Sequence, residues 1–275
     1  MDSCGSRAYI TRMSLKNRSF LKMHGLGNDF VVLDGRALPV SLTEAEARLL
    51  ADRHFGIGCD QIVILEPAKA EGADLFVRFL NGDGSESGAC GNGTRCAALL
   101  VFNERKTASC VIETRSGLLP CRLLEDGLIE VDMGLARDVA DLDLSVGPLA
   151  GPVFVNMGNP HAVFVVPDAL KVDLPAHGPL IENHPLFPNR TNVEAISLQG
   201  KDRLRLRVWE RGAGITLACG SGACAAAVAA FRRGLTGRQV MIELDGGELR
   251  LQYLETGHVM MTGPATLVAE GRMGG

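Results

Sequence analysis

Two cysteines in this chain stand where thiol chemistry is favoured. Each is followed by Gly-x-Gly: Ala89-Cys90-Gly91-Asn92-Gly93 and Ala218-Cys219-Gly220-Ser221-Gly222. Both segments lead into Ala-containing runs that read as helices. A helix start presents unpaired N–H groups and the positive end of the macrodipole. A thiolate there is stabilised, so the thiol pKa is expected to fall. The same N–H groups can hold an anion such as a carboxylate, and the glycines let the backbone approach it. Two such segments facing each other across a cleft put one thiol on each face of a single carbon. One thiol takes a proton as thiolate, the other returns a proton from the far side, and the stereocentre inverts. A carbanion beside a carboxylate has little else to delocalise it. Two helix starts aimed at that carboxylate supply the electrostatic stabilisation, and closure of the cleft strengthens it by excluding water.

Three other readings compete on residue types alone. For any single cysteine a buried structural thiol is the default, and it is the reading for Cys4, Cys59, Cys96, Cys110, Cys121 and Cys224. Zinc would need a tight knuckle, whereas Cys96 and Cys224 follow inside the expected helices, and no His-Glu-x-x-His is present. The run Gly220-Ser221-Gly222-Ala223-Cys224-Ala225 fits a dinucleotide fingerprint, with Glu243 or Asp245 downstream. The first copy breaks that pattern at Cys96, and the fingerprint does not explain a cysteine before the glycines in both copies.

The elements that must position these cysteines follow from a repeat. At an offset of 129 residues (219 − 90), Ala97, Ala98 and Phe102 match Ala226, Ala227 and Phe231, and the strand-like Val77–Leu80 falls on Leu206–Trp209. At an offset of 131, Gly27-Asn28 matches Gly158-Asn159 and Asp60-Gln61-Ile62 lies over Thr191-Asn192-Val193. Pieces in the same order at nearly one spacing indicate a duplicated domain. Strands are expected within 30–33, 61–65, 75–79, 110–114, 129–133, 153–155, 162–166, 204–209, 240–244 and 259–262. Helices are expected over 42–53, with Thr43 as cap, 93–104 and 222–233. Many strands and few helices argue for an α+β fold. The Pro- and Gly-containing stretch 145–152 reads as the entry loop to the second half.

The chain has 275 residues, 46% hydrophobic and 22% charged, enough for two modest packed domains. A net charge of −4 and the lack of a basic cluster interleaved with aromatics exclude a nucleic-acid reader. No apolar run approaches the ~18 residues of a membrane span, and the first twenty residues lack the features of a secretory signal. Residues 1–17 read as a loose extension, with Met13 an alternative start. Reduced thiols in the cytoplasm are therefore expected.

The motifs resemble those of the diaminopimelate epimerase family across about residues 20–271. They include His24–Phe30, Gly56–Gln61, Asn81–Glu86, Gly88–Arg95, Met157–His161, Arg190–Glu194, Trp209–Gly212, Ala218–Ala223 and Thr262–Ala265. The resemblance implies two pseudo-symmetric domains, each a mixed or antiparallel sheet wrapped around a central helix. The first would span 18–134 with 265–275, and the second 135–264. It implies interconversion of LL- and meso-diaminopimelate, in lysine and peptidoglycan precursor biosynthesis, with no cofactor and no metal. Cys219 would accept the proton and Cys90 donate in the LL-to-meso direction. Gly91-Asn92 and Gly220-Ser221 would hold the reacting carboxylate. Asn28 and Gln61 would line the site, while Asn81, Asn159, Asn192, Arg211 and the Glu210 carbonyl would grip the distal end. His161 and Glu210 would stand near the reacting end and share in catalysis. Taken alone, an Asn after Gly is more often a turn residue, and Glu210-Arg211 reads equally as a surface pair. The resemblance implies a small-molecule substrate and a homodimer. The aromatic that the family often carries after Gly-Pro-Ala is Ala269 here, a departure that bears on the dimer contact and not on the chemistry. Proline racemases and hydroxyproline epimerases share the two cysteines without the distal-end residues. Phenazine-biosynthesis isomerases replace the thiols with carboxylate chemistry.

Cys90→Ala and Cys219→Ala are each expected to abolish epimerisation while leaving the fold intact, whereas Cys96→Ala and Cys224→Ala stay nearly fully active. Turnover assays beside circular dichroism decide the assignment, and it fails if Cys96→Ala is dead and Cys90→Ala is not.

Overall fold

A computed structural model describes residues 15–274. Residues 1–14, most of the expected extension, and Cys4 lie outside the described residues. The first half runs β1 (Ser19–Gly25), β2 (Asn28–Asp34), α1 (Glu44–Ala51), β3 (Gln61–Glu66), β4 (Leu75–Asn81), β5 (Glu86–Ser87), α2 (Gly91–Arg105), β6 (Ser109–Thr114), β7 (Gly117–Leu123) and β8 (Ile129–Leu135). After β9 (Arg137–Asp141) and a small hairpin, β10 (Ser145–Val146) with β11 (Leu149–Ala150), the same order recurs. It reads β12 (Val153–Asn156), β13 (Pro160–Val165), α3 (Leu174–Glu182), β14 (Asn192–Gly200), β15 (Arg203–Glu210), β16 (Gly214–Ile215), α4 (Gly220–Arg232), β17 (Gln239–Leu244), β18 (Gly247–Tyr253) and β19 (His258–Gly263), followed by β20 (Thr266–Arg272).

The pairings repeat with the elements. β2 with β3, and β13 with β14, are parallel. So are β4 with β6, and β15 with β17. Parallel neighbours need a crossover connection. In each half α2 or α4 provides the second crossover and lies against the sheet it crosses. The remaining pairs within each half are antiparallel hairpin partners. The fold is therefore α+β and pseudo-symmetric, as expected from the repeat.

Two exchanges lock the halves together. β8 pairs antiparallel with β19, joining the two sheets into one of 18 strands. β9, which follows β8 in the chain, pairs with β12, and β20, which follows β19, returns to pair with β1. One continuous core cluster contains the inner faces of both α2 and α4. α4 is buried almost all round, from Ala223 to Ala230. A helix that is apolar on every side belongs inside a sheet-lined core, and its small side chains let the strands close tightly. Smaller clusters lie under α1 and α3.

Local sequence explains most boundaries. Thr43 and Glu46 form a reciprocal capping box on α1. α3 was not expected; it contains Pro175, Gly178 and Pro179, residue types that disfavour helix. It stands because Pro175 lies in the first turn, where its missing N–H is tolerated. Asp173 also caps Ala176 N at 3.1 Å. Gly178 is required where it is: a Cβ there would come within 2.5 Å of the Trp209 ring. Strands β1, β7, β9, β14 and β18, and the two-residue strands β5, β10, β11 and β16, were also not expected. In β18 exposed Glu248 and Arg250 alternate with buried Leu249 and Leu251, a half-buried pattern. The stretch at 145–152 forms the β10–β11 hairpin, outside the main sheet.

Beyond β1 the chain turns at Leu26-Gly27 against the second half. A Cβ on Gly27 would reach Leu217 at 2.9 Å, and one on Gly246 would reach the Leu26 carbonyl oxygen at 1.9 Å. Since the second contact is with backbone, Gly246→Ala must displace the loop that leads into Asn28. It is expected to cost about 1–3 kcal/mol, read as a lower urea midpoint, together with reduced turnover. A variant as stable and active as the parent would show that this contact does not hold the loop.

Candidate active site

α2 and α4 meet at their N-termini. Their N-caps are Cys90 and Cys219, both in extended backbone. The cap position usually carries Ser, Thr, Asp or Asn. Here each thiol takes that role: Cys90 Sγ accepts from Gly93 N and Cys219 Sγ from Gly222 N, both at 3.4 Å. A Cβ built on Gly220 would stand 3.6 Å from Gly91 Cα. Glycine on both sides permits that approach. Cys90 is half-buried and Cys219 buried.

On the first-half side, a chain of amides surrounds Cys90. Its Sγ lies 3.8 Å from Asn28 Oδ1, as donor. Asn92 Nδ2 donates to the same oxygen at 3.2 Å and to the Ala218 carbonyl of the other half at 3.1 Å. Asn28 Nδ2 donates to Asp60 at 3.0 Å. Asp60 and Asp29 share Arg53, and Lys22 pairs with Asp29. Burial alone would raise the Asp29 carboxyl; Arg53 and Lys22 outweigh it and hold it well below the usual range.

The second-half side is richer in ionisable groups. His161 is fully buried, with Nδ1 2.6 Å from Glu194 Oε1 and Nε2 3.0 Å from Asn159 Oδ1. Asn159 Nδ2 donates to Ser221 Oγ at 3.2 Å, and Ser221 Oγ lies 3.7 Å from Cys219 Sγ. Glu194 Oε2 is buried with no hydrogen-bond partner among the described residues. Glu210 accepts from the Thr216 hydroxyl, and its carboxyl group faces Cys219. Burial raises the carboxyl pKa of both Glu194 and Glu210.

The expected fall in thiol pKa is corrected by this geometry. Burial pushes Cys90 up to about 11, despite the helix N–H contact and Arg95. It pushes Cys219 well above the ordinary thiol value, with Glu210 and Glu194 adding to the rise. Removing a thiolate from water here outweighs one helix end.

Of the residues expected at the distal end, Asn159 and Arg211 line one cavity, and Asn81 and Asn192 do not. Gln61 Nε2 donates to Asn81 Oδ1 at 2.8 Å. Asn192 is buried, donates to the Pro160 carbonyl at 2.8 Å and accepts from Arg211 N at 2.9 Å. The Arg211 guanidinium donates to the Asn189 carbonyl at 3.0 Å. Arg211 and Asn159 line a cavity of about 950 Å³ with Phe154, Leu186 and Arg190. Neither thiol lines that cavity; Asn159 connects it to the helix ends through Ser221. Arg95, Glu194, Asp60 and Thr216 were given no role from sequence. The repeat carried a signal for two of them. At 131 residues' offset Glu194 falls on Val63, and at 129 Arg95 falls on Cys224, so each is a charge where the other half is neutral.

Two halves of one topology, each bringing a helix-start cysteine to a shared cleft, define the two-domain epimerase and isomerase class. Solved structures with this fold include a PhzF-family phenazine biosynthesis protein from Bacillus anthracis, with a TM-score of 0.68, 18% identity and cover of 94% of this chain and 99% of that one. A hydroxyproline epimerase from Agrobacterium vitis gives a TM-score of 0.66 at 15% identity, covering 94% and 92%. The diaminopimelate epimerase family model matches residues 20–139 and 153–268. The diaminopimelate epimerase of Rhodospirillum centenum is 56% identical over 93% of this chain and 92% of its own. That of Acidiphilium cryptum is 51% identical over 93% and 96%. The chain belongs to the diaminopimelate epimerase family and is an isomerase acting on amino acids. Among the described residues no helix is long and apolar enough to cross a membrane.

Asp29 supports the loop carrying Asn28 and gives a pH signature. Its folded pKa lies below the unfolded value of about 3.9. Its stabilisation is therefore present above that value and is lost as pH falls through the folded pKa. Asp29→Asn should lower the melting temperature at pH 7, and the gap to the parent should shrink as the pH falls below about 4. A gap that stays constant into acid would remove the charge from the explanation.

Proposed function

We propose that this enzyme interconverts LL- and meso-diaminopimelate by two-base proton transfer, with Cys90 and Cys219 as the pair. The observation that carries the reading is the meeting of two cysteine-capped helix ends across Gly91 and Gly220. The names of relatives around half identical over most of the chain supply the substrate. The product would feed lysine and peptidoglycan precursor biosynthesis.

In the proposed reaction the α-carboxylate sits against the N–H groups of Gly91-Asn92 and Gly220-Ser221. One cysteine, as thiolate, takes the α-hydrogen and becomes a thiol. The other, as thiol, delivers its proton to the opposite face and becomes a thiolate. Charge and protons balance, and only the configuration changes. The raised thiol pKa values favour this chemistry. An amino-acid α-hydrogen is very weakly acidic, and a more basic thiolate narrows the mismatch at the moment of transfer. Glu210 and His161 flank the reacting end, where each adjoins a group that touches Cys219 or its helix. Asn28 orients Cys90. Asn81, Asn159, Asn192, Gln61, Arg211 and the Glu210 carbonyl hold the distal amino-acid end, with the Arg211 fork suited to its carboxylate. The bodies 18–134 with 265–275, and 135–264, close on the bound substrate. The partners are that small molecule and a second copy of the chain. A reducing cytoplasm keeps the thiols free.

The test is turnover in D₂O with no added cofactor. LL-diaminopimelate should gain one deuterium at the inverted α-carbon. Incorporation that requires pyridoxal phosphate or a divalent metal, or no incorporation at all, would falsify the reading.

A further inference from the structure

We propose that Arg95 is a positioning residue for the proton transfer, a cation built into one half only, which fixes Asn92 beside Cys90 and makes Cys90 the thiol that ionises first in the free enzyme. The inference rests on the proposed pairing of Cys90 with Cys219.

Arg95 is a fully buried side chain. Its guanidinium donates to Asn92 Oδ1 at 2.8 Å, to the Pro264 carbonyl at 3.1 Å and to Met261 Sδ at 3.5 Å, all neutral groups. The ionisable groups it acts on most are thiols: Cys96, Cys90, Cys224 and Cys121. A buried cation without a carboxylate is costly to hold. The contact with Pro264 ties it to the segment that returns from the second half to the first. The contact with Asn92 settles that amide's orientation. With Oδ1 facing Arg95, Nδ2 must face Asn28 Oδ1 and the Ala218 carbonyl. One guanidinium thereby sets the amide that lies between the two helix ends.

The repeat shows that this arrangement is one-sided. Arg95 corresponds to Cys224 in the second half. Conversely, the first half has Phe30, Val63 and Asn81 where the second has His161, Glu194 and Glu210. The groups facing Cys90 are Arg95 and Cys96 from its own helix, Asn28 at the start of β2, and Glu210 from β15. Those facing Cys219 are Glu210 from β15, Glu194 from β14 with His161 behind it on β13, and Ser221. Cys90 bonds a neutral amide and has a cation near it. Cys219 faces two carboxyl groups, Glu210 and Glu194. Both differences favour the thiolate on Cys90. The resting form then accepts only the isomer whose α-hydrogen faces Cys90. Each such turnover leaves the proton on Cys90 and the thiolate on Cys219, so return to rest requires a proton exchange between the thiols through solvent.

The experiment measures each thiol in the free enzyme by iodoacetamide alkylation across about pH 6–12, a range that brackets the ordinary thiol value of about 8.5, with peptide mapping. The midpoint of each rate profile reports ionisation whatever the thiol's exposure. The Cys90 midpoint should lie at least about one pH unit below that of Cys219, a ten-fold difference in thiolate at a given pH. In Arg95→Gln the Cys90 midpoint should rise by about one unit with that of Cys219 unmoved, and Arg95→Lys should restore most of the difference. A folded Arg95→Gln with an unchanged Cys90 midpoint overturns the proposal. So does Cys219 titrating first in the parent enzyme, a result that needs no variant to fold. Because alkylation requires no turnover, the thiol order is read independently of deuterium incorporation, and either idea can fail without the other.

Discussion

The structure depends on holding two positive helix ends tip to tip. Like-signed dipole ends do not approach each other without compensation. In this chain the compensation is local and built from both halves. The thiols of Cys90 and Cys219 accept the N–H groups of Gly93 and Gly222, and Asn92 of one helix donates to the carbonyl just before the other. In the proposed function the N–H groups at Gly91-Asn92 and Gly220-Ser221 receive the substrate carboxylate, since helix N-termini favour an anion. An incoming carboxylate would relieve the repulsion that the fold maintains. Binding and stabilisation of a developing carbanion then use the same preorganised groups.

Keeping those ends in register falls to the sheets. The β8–β19 pairing joins the halves along strands that pack against the helices, while β9 pairs with β12 and β20 returns to pair with β1. Met261 on β19 lies against both Gly91 and Gly220, so the joining strand also floors the meeting point. A loosely linked pair of domains would not place two thiols on opposite faces of one carbon. This exchange of strands ties each helix end to a common frame, while the Arg211 cavity is lined by the second half alone.

Much of this was legible in the sequence because the duplication repeats polar and glycine positions, not only apolar ones. The two cysteines, Asn28 against Asn159 and Gln61 against Asn192 could be aligned without structure, and the helix starts followed from the glycines. Elements whose signals conflict were harder to read. α3 carries two prolines and a glycine; it stands on its Asp173 cap and first-turn Pro175, and Gly178 makes room for Trp209. β18 alternates buried and exposed residues, and β14 buries the polar Asn192, Glu194 and Ser197, so no apolar run marks either. The supporting charges were hidden for a different reason. Arg95 and Glu194 sit inside recognised motifs, but what each does depends on burial and on a partner from elsewhere in the chain, such as Pro264 or His161.

The same reason explains why the thiol pKa values run against the sequence expectation. A helix N-terminus acts through a few partial charges near its end, whereas desolvation acts on the whole thiolate. The chain cannot show from spacing alone which is larger, since that depends on how much of the cleft is closed. In the folded protein burial prevails at both sites. A base that stays weakly ionised until substrate arrives is a poor thiolate in the free enzyme but a strong base when formed. The fold therefore trades thiolate population for basicity, and in the proposed reaction the helix ends serve the substrate carboxylate more than they serve the cysteines.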